Sequence, residues 1–131
     1  MNKVRLVIGM AVLTLLLAGC VPGSRRSAVV SVATRFVAAV SRHDGTGACA
    51  ILTDNAKSSA SGATDTPCDQ AVLNVKENGT QIRGVQVWGD SAQVKIGGDV
   101  LFLRRMQSGW LVNAAGCKPQ PRAAYQCDVG G

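Results

Sequence analysis

The chain has 131 residues, of which 47% are hydrophobic and only 4% aromatic, and its formal net charge is +6. This length suits one small domain, whose core must be built mainly from Val, Leu, Ile and Ala. The basic residues are scattered, with Arg25–Arg26 and Arg104–Arg105 as the only adjacent pairs. We therefore exclude nucleic acid as a partner, because its binding requires a patterned basic face.

The N-terminus has the charge and hydropathy pattern of an export signal. Lys3 and Arg5 precede an apolar stretch at 6–17, which is shorter than the about 20 residues that a membrane span needs. The stretch ends in a Leu-Ala-Gly-Cys sequence at Cys20, which resembles the lipobox of bacterial lipoproteins. The resemblance implies that residues 1–19 are a lipoprotein signal peptide and that acyl chains on Cys20 anchor the protein to the extracytoplasmic face of the cell membrane. An ordinary secretory signal, with Cys20 removed or left free, is the alternative.

A helix is predicted directly after a short linker. Residues 20–26 contain Pro, Gly and Ser and predict a lipidated tether, in which Arg25 and Arg26 contact anionic headgroups or face solvent. Residues 27–42 lack Pro and Gly and predict an amphipathic helix. Its apolar face consists of Val29, Ala33, Phe36, Val37 and Val40.

Two further helices are predicted before the pattern changes. One covers 48–56, and the stretch at 57–66 has no large hydrophobic residue, so it is predicted to be an exposed loop. The next helix begins at Thr66-Pro67 and continues to about Val75, with Thr66 as its cap and Asp69 in its first turn.

Beyond Gly79 the hydrophobic period becomes two, which predicts strands joined by tight turns in an antiparallel meander. Gly84 is a candidate for a β-bulge. Helices followed by a meander predict an α+β domain at 27–117, in which three N-terminal helices pack on the concave face of a curved four-stranded antiparallel sheet. Residues 118–131 form a tail without periodicity. The predicted strands are 81–88, 92–96, 100–106 and 110–115.

Four cysteines remain once Cys20 is set aside. In an oxidising compartment they form two disulfides, and three pairings are possible. We favour Cys49–Cys68, which joins consecutive predicted helices, and Cys117–Cys127, which closes the tail into a ring. The two crossed pairings are the alternatives. Each bond is expected to stabilise the fold by about 2–4 kcal/mol. The absence of a Cys-x-x-Cys motif argues against a zinc site and against a redox-active pair.

Several short motifs recur in a known group of proteins. They are Gly98-Asp99, the Val-Leu-Phe-Leu-Arg-Arg run at 100–105, Gly109-Trp110, Ala-Ala-Gly-Cys at 114–117, Tyr125-Gln126-Cys127, and the segments at 48–52 and 67–72. Together they resemble small actinobacterial lipoproteins that carry a cone-shaped domain like that of nuclear transport factor 2 and the SnoaL-type cyclases. The resemblance covers nearly all of the chain after Cys20. It implies a fold and a location, and it assigns no activity.

Enzymes of that cone-shaped fold place an Asp, His or Tyr inside the cone. His43 is the only histidine here, and it lies at a predicted helix end, whereas Tyr125 lies in the tail. Asp90 and Asp99 occupy predicted turns, which favour aspartate. Trp88 and Trp110 are interpreted as core or sheet-face residues, although one of them could line the mouth of a pocket. We assign no catalytic residue, metal ligand or cofactor.

We therefore expect a non-catalytic, membrane-anchored envelope lipoprotein. Its cone is expected to hold a small apolar ligand, or its open sheet face to dock an envelope protein. The alternative is an isomerase- or cyclase-type enzyme of the same fold that uses an Asp or His43 as base. A regulatory sensor that acts through a partner is a third hypothesis.

Overall fold

The computed structural model describes residues 22–76 and 78–131. The predicted signal peptide at 1–19 and the predicted lipid attachment site Cys20 lie outside the described residues. Across the two described ranges, no helix is both long and apolar enough to cross a membrane.

The architecture is α+β, with helices first and strands second. The α-helices are α1 (Pro22–Ser41), α2 (Gly45–Ala50), α3 (Asp54–Thr64) and α4 (Cys68–Ala71), and a 3-10 turn (Val72–Asn74) follows. The strands are β1 (Ile82–Trp88), β2 (Ser91–Ile96), β3 (Asp99–Met106), β4 (Gly109–Pro119), β5 (Tyr125–Gln126) and β6 (Val129–Gly130). The predicted counts of three helices and four strands are therefore both too low.

Helix α1 confirms the predicted amphipathic pattern, since all five residues of the predicted apolar face are buried. It begins at Pro22, five residues before the predicted start at Ser27. Two contacts account for the extension. The Ser27 hydroxyl donates to the Ser24 carbonyl oxygen at 3.0 Å, and Arg26 Nη1 donates to the carbonyl oxygen of Val85 on β1 at 2.6 Å. A tertiary contact with the sheet thus fixes the first turns of the helix.

The predicted helix at 48–56 is divided into two helices. Asp44 caps α2 by accepting a hydrogen bond from Gly47 N at 2.8 Å, so this helix starts earlier than predicted. Residues 51–53 then pair with β4, because Val112 N donates to Ile51 O and Thr53 N donates to Val112 O, each at 2.9 Å. Helical hydrogen bonding cannot continue through a segment whose backbone groups bond to a strand.

The predicted loop at 57–66 is wrong, because helix α3 occupies most of it. The Thr53 hydroxyl oxygen caps α3 by accepting from Ala56 N at 3.2 Å. Ala56 and Ala60, one turn apart, are both buried, and α3 packs against β4, β6 and α4. Small side chains allow this close packing, so a helix forms without a large hydrophobic residue.

The third predicted helix is also shorter than expected. Helix α4 ends at Ala71 and gives way to the 3-10 turn. Its N-cap residue is Pro67 rather than Thr66, with no capping side-chain bond. The backbone of Asp69 in α4 approaches Gly45 in α2 so closely that a Cβ atom at Gly45 would collide with it. This approach brings the two helices together where the Cys49–Cys68 disulfide joins them.

The sheet is an open antiparallel meander in the order β1-β2-β3-β4-β5, and β6 pairs with β4 beside it. The predicted meander and the bulge at Gly84 are confirmed, since the register shifts between Ile82 and Gly84. The tail at 118–131 contains strand residues that its lack of sequence periodicity did not predict. Strand β4 continues to Pro119, and β5 and β6 both return to pair with it.

Strand alternation gives the sheet two different faces. One face packs against the helices and forms the main core, whose largest fully buried side chains include Phe36, Leu52, Ile96 and Leu101. The opposite face, called the outer face below, carries a second and smaller cluster. The space between helices and sheet is thus filled by side chains, and the outer face is left for other contacts.

Asp99 differs most from its predicted environment. It follows the β2–β3 turn, as expected, but it is only 2% exposed. Its carboxylate accepts hydrogen bonds from the backbone N of Asn78 at 2.9 Å and from Asn78 Nδ2 at 3.4 Å. A buried carboxylate needs such donors, so Asp99 fixes the chain that enters β1.

Candidate functional site

The outer face is built from every second residue of the central strands. Because successive strand residues point to opposite faces, Phe102 and Arg104 lie opposite the core residues Leu101 and Leu103. The strand register extends this pattern across the sheet in two rows. One row is Trp88, Ser91, Arg104 and Leu111, and the next is Gln86, Gln93, Phe102 and Ala114.

A groove of about 460 Å³ lies on this outer face, between the sheet and the C-terminal tail. Its volume lies within the range of about 300–1,000 Å³ that is typical of small-molecule sites. Below it is called the outer-face groove. Most of the residues that line it are aromatic or small and apolar. The lining residues, some of which contribute only backbone atoms, are Trp88, Ser91, Ala92, Phe102, Leu103, Arg104, Asn113, Ala114, Ala124, Tyr125, Cys127 and Gly131.

Three aromatic residues form the walls of the groove. Trp88 ends β1 directly before a tight turn and is 51% exposed. Phe102 lies on β3, and Tyr125 lies on β5 with its ring in an edge contact with the Phe102 ring, at a centroid distance of 4.9 Å and an interplanar angle of 73°. Edge-to-face packing at this distance is favourable for two aromatic rings. Phe102 and Tyr125 therefore form a wall of packed rings, and Trp88 forms an exposed wall at the rim of the groove.

The tail that supplies Tyr125 is held in place by several contacts. The Cys117–Cys127 disulfide ties it to β4, and Gln93 Nε2 donates a hydrogen bond to Tyr125 Oη at 3.1 Å. Farther along, Asp128 Oδ2 accepts from Lys76 N at 3.1 Å. Gly116 adopts a positive φ of 63°, and a Cβ atom there would collide with the Asp128 carboxylate. This glycine therefore allows the tail to lie against β4.

A second, polar pocket of about 280 Å³ lies at the β1–β2 end of the outer face, and its residue Gln93 pairs in register with the groove residue Phe102. Arg26, Arg83 and Lys95 line it together with the side chains of Gln86 and Gln93. Arg26 is fixed there by its bond to Val85 O. No acidic residue is among the described residues that line it. It is called the cationic pocket below.

The residues that line the outer-face groove are mostly uncharged. Among the described residues that line it, Arg104 is the only one with a charged side chain, and none has a carboxylate or imidazole side chain. His43 lies elsewhere, exposed after α1 with a positive φ of 58°. Asp90 forms an exposed ion pair with Arg105 at 3.0 Å. His43 and the aspartates considered as bases are not among the described residues that line the groove, whereas Tyr125 is. Within the described ranges, no group of three His, Cys, Asp or Glu side chains could hold a metal ion.

Part of this site is predictable from the sequence. Both disulfides join the cysteines that it favoured, and Tyr125 packs beside Cys117–Cys127 as expected. Trp88 was one of two candidates for a pocket mouth, and it lines the groove, whereas Trp110 is buried at 7% exposure. Phe102 was missed. Its signal was the apolar run at 100–103, which puts hydrophobic residues on both faces of β3.

Comparison with protein-family models, with curated proteins and with solved structures finds no match to this chain.

Proposed function

We propose that this protein is a membrane-anchored envelope lipoprotein whose domain binds a small apolar ligand in the outer-face groove. The observation that carries the proposal is an apolar groove of about 460 Å³ with walls of Trp88, Phe102 and Tyr125 and without an acid–base pair among its lining side chains. Such a lining favours the binding of a ligand whose apolar surface becomes buried in the groove.

The proposed site differs in place from the cone interior considered in the sequence analysis. Phe36, Leu52, Leu101 and Val112 are completely buried between the helices and the sheet, where they form a continuous core. A ligand there would have to displace closely packed side chains. The outer-face groove is already open to solvent, so a ligand enters it without disrupting the core.

The anchoring part of the proposal rests on the lipobox resemblance at Cys20. It is supported by the position of the domain directly after that cysteine, since α1 begins at Pro22 and is docked on β1 through Arg26. A domain this close to two or three acyl chains would stay near the membrane surface. The proposed relation to cone-shaped lipoprotein domains rests on the quoted motifs and on the order of helices followed by a meander.

A neutral fluorescent probe tests ligand binding without involving charge. We expect the purified, disulfide-bonded protein to bind N-phenyl-1-naphthylamine saturably at one site. Trp88→Ala should weaken binding about tenfold, because it removes apolar contact surface. Ala124→Trp should weaken it at least as much by filling the exposed mouth, where Ala124 lies.

Met106→Ala is the matched control. Met106 is an exposed apolar residue on β3, 46% accessible, and it does not line the groove. Binding should be unchanged in this variant. The proposal would be contradicted by the absence of saturable binding, or by equal losses in the Trp88 and Met106 variants. Either result would favour docking of an envelope protein over a small ligand.

A further inference from the structure

Gln93 links the cationic pocket to the outer-face groove, because it lines the cationic pocket and donates a hydrogen bond to the groove residue Tyr125. From this juxtaposition we infer that the ligand is a phosphate-bearing lipid, with its acyl chain in the groove and its phosphate in the cationic pocket. The inference rests on the proposed function, because it assigns the ligand class of the same groove.

The cationic pocket has the donors that a phosphate group requires. The strand register pairs Gly84 with Lys95 and Gln86 with Gln93 on β1 and β2. Arg26 from α1 lies beside these residues and is held there by its 2.6 Å bond to Val85 O. Arginine offers several N–H donors in a planar fork, and lysine adds a compact charge, so together they suit phosphate oxygens. The amide groups of Gln86 and Gln93 add neutral donors.

Among the described residues that line the pocket, none is an acidic counterpart to the three cations. The ion pairs found within the described ranges are Lys57–Asp54 and Arg105–Asp90, neither of which includes a pocket residue. Like charges that line one pocket repel each other, so a bound anion would stabilise the arrangement of Arg26, Arg83 and Lys95.

The dimensions and position of the two sites favour a lipid over a small phosphate ester. The groove offers about 460 Å³ of mainly apolar space, and the cationic pocket offers about 280 Å³ of polar space beside it. Arg26 is also six residues from Cys20, so an anchored domain would present this pocket close to the membrane. Anionic membrane lipids carry both an acyl chain and a phosphate, so a single lipid of this class matches the chemistry of both sites.

Three probes separate the contributions of chain and phosphate: 1-decanoyl lysophosphatidate, 1-decanoylglycerol and glycerol 3-phosphate. Calorimetry with the purified protein should give a Kd for lysophosphatidate about tenfold lower than for decanoylglycerol, which is the effect of a few charge-assisted hydrogen bonds. The Arg83→Gln/Lys95→Gln double variant should remove this difference. The Arg35→Gln/Arg42→Gln variant loses the same charge at exposed positions outside both sites and should keep it.

Each contrary outcome has a separate meaning. Equal affinity for the two decanoyl probes, or a difference that persists in Arg83→Gln/Lys95→Gln, would overturn the phosphate assignment and leave the apolar groove intact. Glycerol 3-phosphate binding as tightly as lysophosphatidate would indicate a site for soluble phosphates instead. Lysophosphatidate binding that is unaffected by Ala124→Trp would indicate docking on a membrane surface instead. If neither decanoyl probe binds, the proposed function fails together with this inference.

Discussion

The side-chain amide of Gln93 on β2 donates a hydrogen bond to the hydroxyl oxygen of Tyr125 on β5, at 3.1 Å. In the sheet order, β3 and β4 lie between these two strands. The Tyr125 side chain must therefore extend over Phe102 on β3, with which its ring makes an edge contact. The Tyr125 side chain thus forms a wall of the groove on the outer face. Gln93, to which it is hydrogen-bonded, also lines the cationic pocket.

Removal of the two tryptophans should have very different effects on the free energy of unfolding. Trp110 is 7% exposed, so Trp110→Ala should lower the free energy of unfolding by about 3–5 kcal/mol, as large-to-small core substitutions do. Trp88 is 51% exposed, so Trp88→Ala should change it by less than about 1 kcal/mol. Urea unfolding followed by circular dichroism measures both. A large loss of stability in the Trp88 variant would mean that this residue serves the fold rather than the groove.

The two disulfides should differ in their effect on binding. Removing either pair by substitution with serine should lower the free energy of unfolding by about 2–4 kcal/mol. Only the Cys117→Ser/Cys127→Ser variant should also lose binding of N-phenyl-1-naphthylamine, because this bond holds the tail that carries Tyr125. Cys49–Cys68 joins α2 to α4, away from the groove. Equal binding by both variants under native conditions would show that the tail stays in place without its disulfide.

The Arg26 contact should hold the first turns of α1 on the sheet. Arg26→Gln removes the bond to Val85 O, which should cost about 1.5 kcal/mol locally, at the lower end of the range for hydrogen bonds to charged groups. Amide hydrogens near the start of the helix should then exchange about tenfold faster. Arg25 is exposed and adjacent, so Arg25→Gln is the matched control. Equal exchange in the two variants would argue that α1 holds its position by apolar packing alone.

The lipid anchor can be tested in cells. With radiolabelled fatty acid in the medium, the wild-type protein should become labelled, and Cys20→Ser should remain unlabelled and unprocessed. The Cys49→Ser/Cys68→Ser variant is the control, because it loses two cysteines but keeps the proposed attachment site. Label on the Cys20→Ser protein would remove the basis for the membrane-anchored part of the proposed function.

Periodicity predicted the elements whose hydrophobic residues are large and regularly spaced. The apolar face of α1 and the β1–β4 meander belong to this group. Helix α3 was missed because Ala56 and Ala60, its buried residues, are too small to give a hydrophobic signal, although they pack closely in the structure. Strands β5 and β6 have two residues each, which is too short for alternation to be visible.

The groove was less predictable than the fold because its walls come from distant parts of the chain. Trp88, Phe102 and Tyr125 meet only through the strand register and the return of the tail. The tail in turn depends on the contact of Asp128 with Lys76 and on a positive φ at Gly116. None of these relationships has a periodic signature in the sequence. The basic residues of the cationic pocket likewise appeared scattered until β1, β2 and α1 brought them together.

The location of the bound ligand is tested most directly by NMR of the protein with ¹³C-labelled alanine methyl groups, titrated with 1-decanoyl lysophosphatidate. The methyl groups of Ala114 and Ala124 line the groove, whereas those of Ala33 and Ala56 are buried in the core on the other side of the sheet. We expect saturable shifts and acyl-chain nuclear Overhauser contacts at Ala114 and Ala124, with Ala33 and Ala56 unchanged. Contacts at Ala33 and Ala56, with none at the groove alanines, would place the ligand between helices and sheet and contradict binding in the outer-face groove.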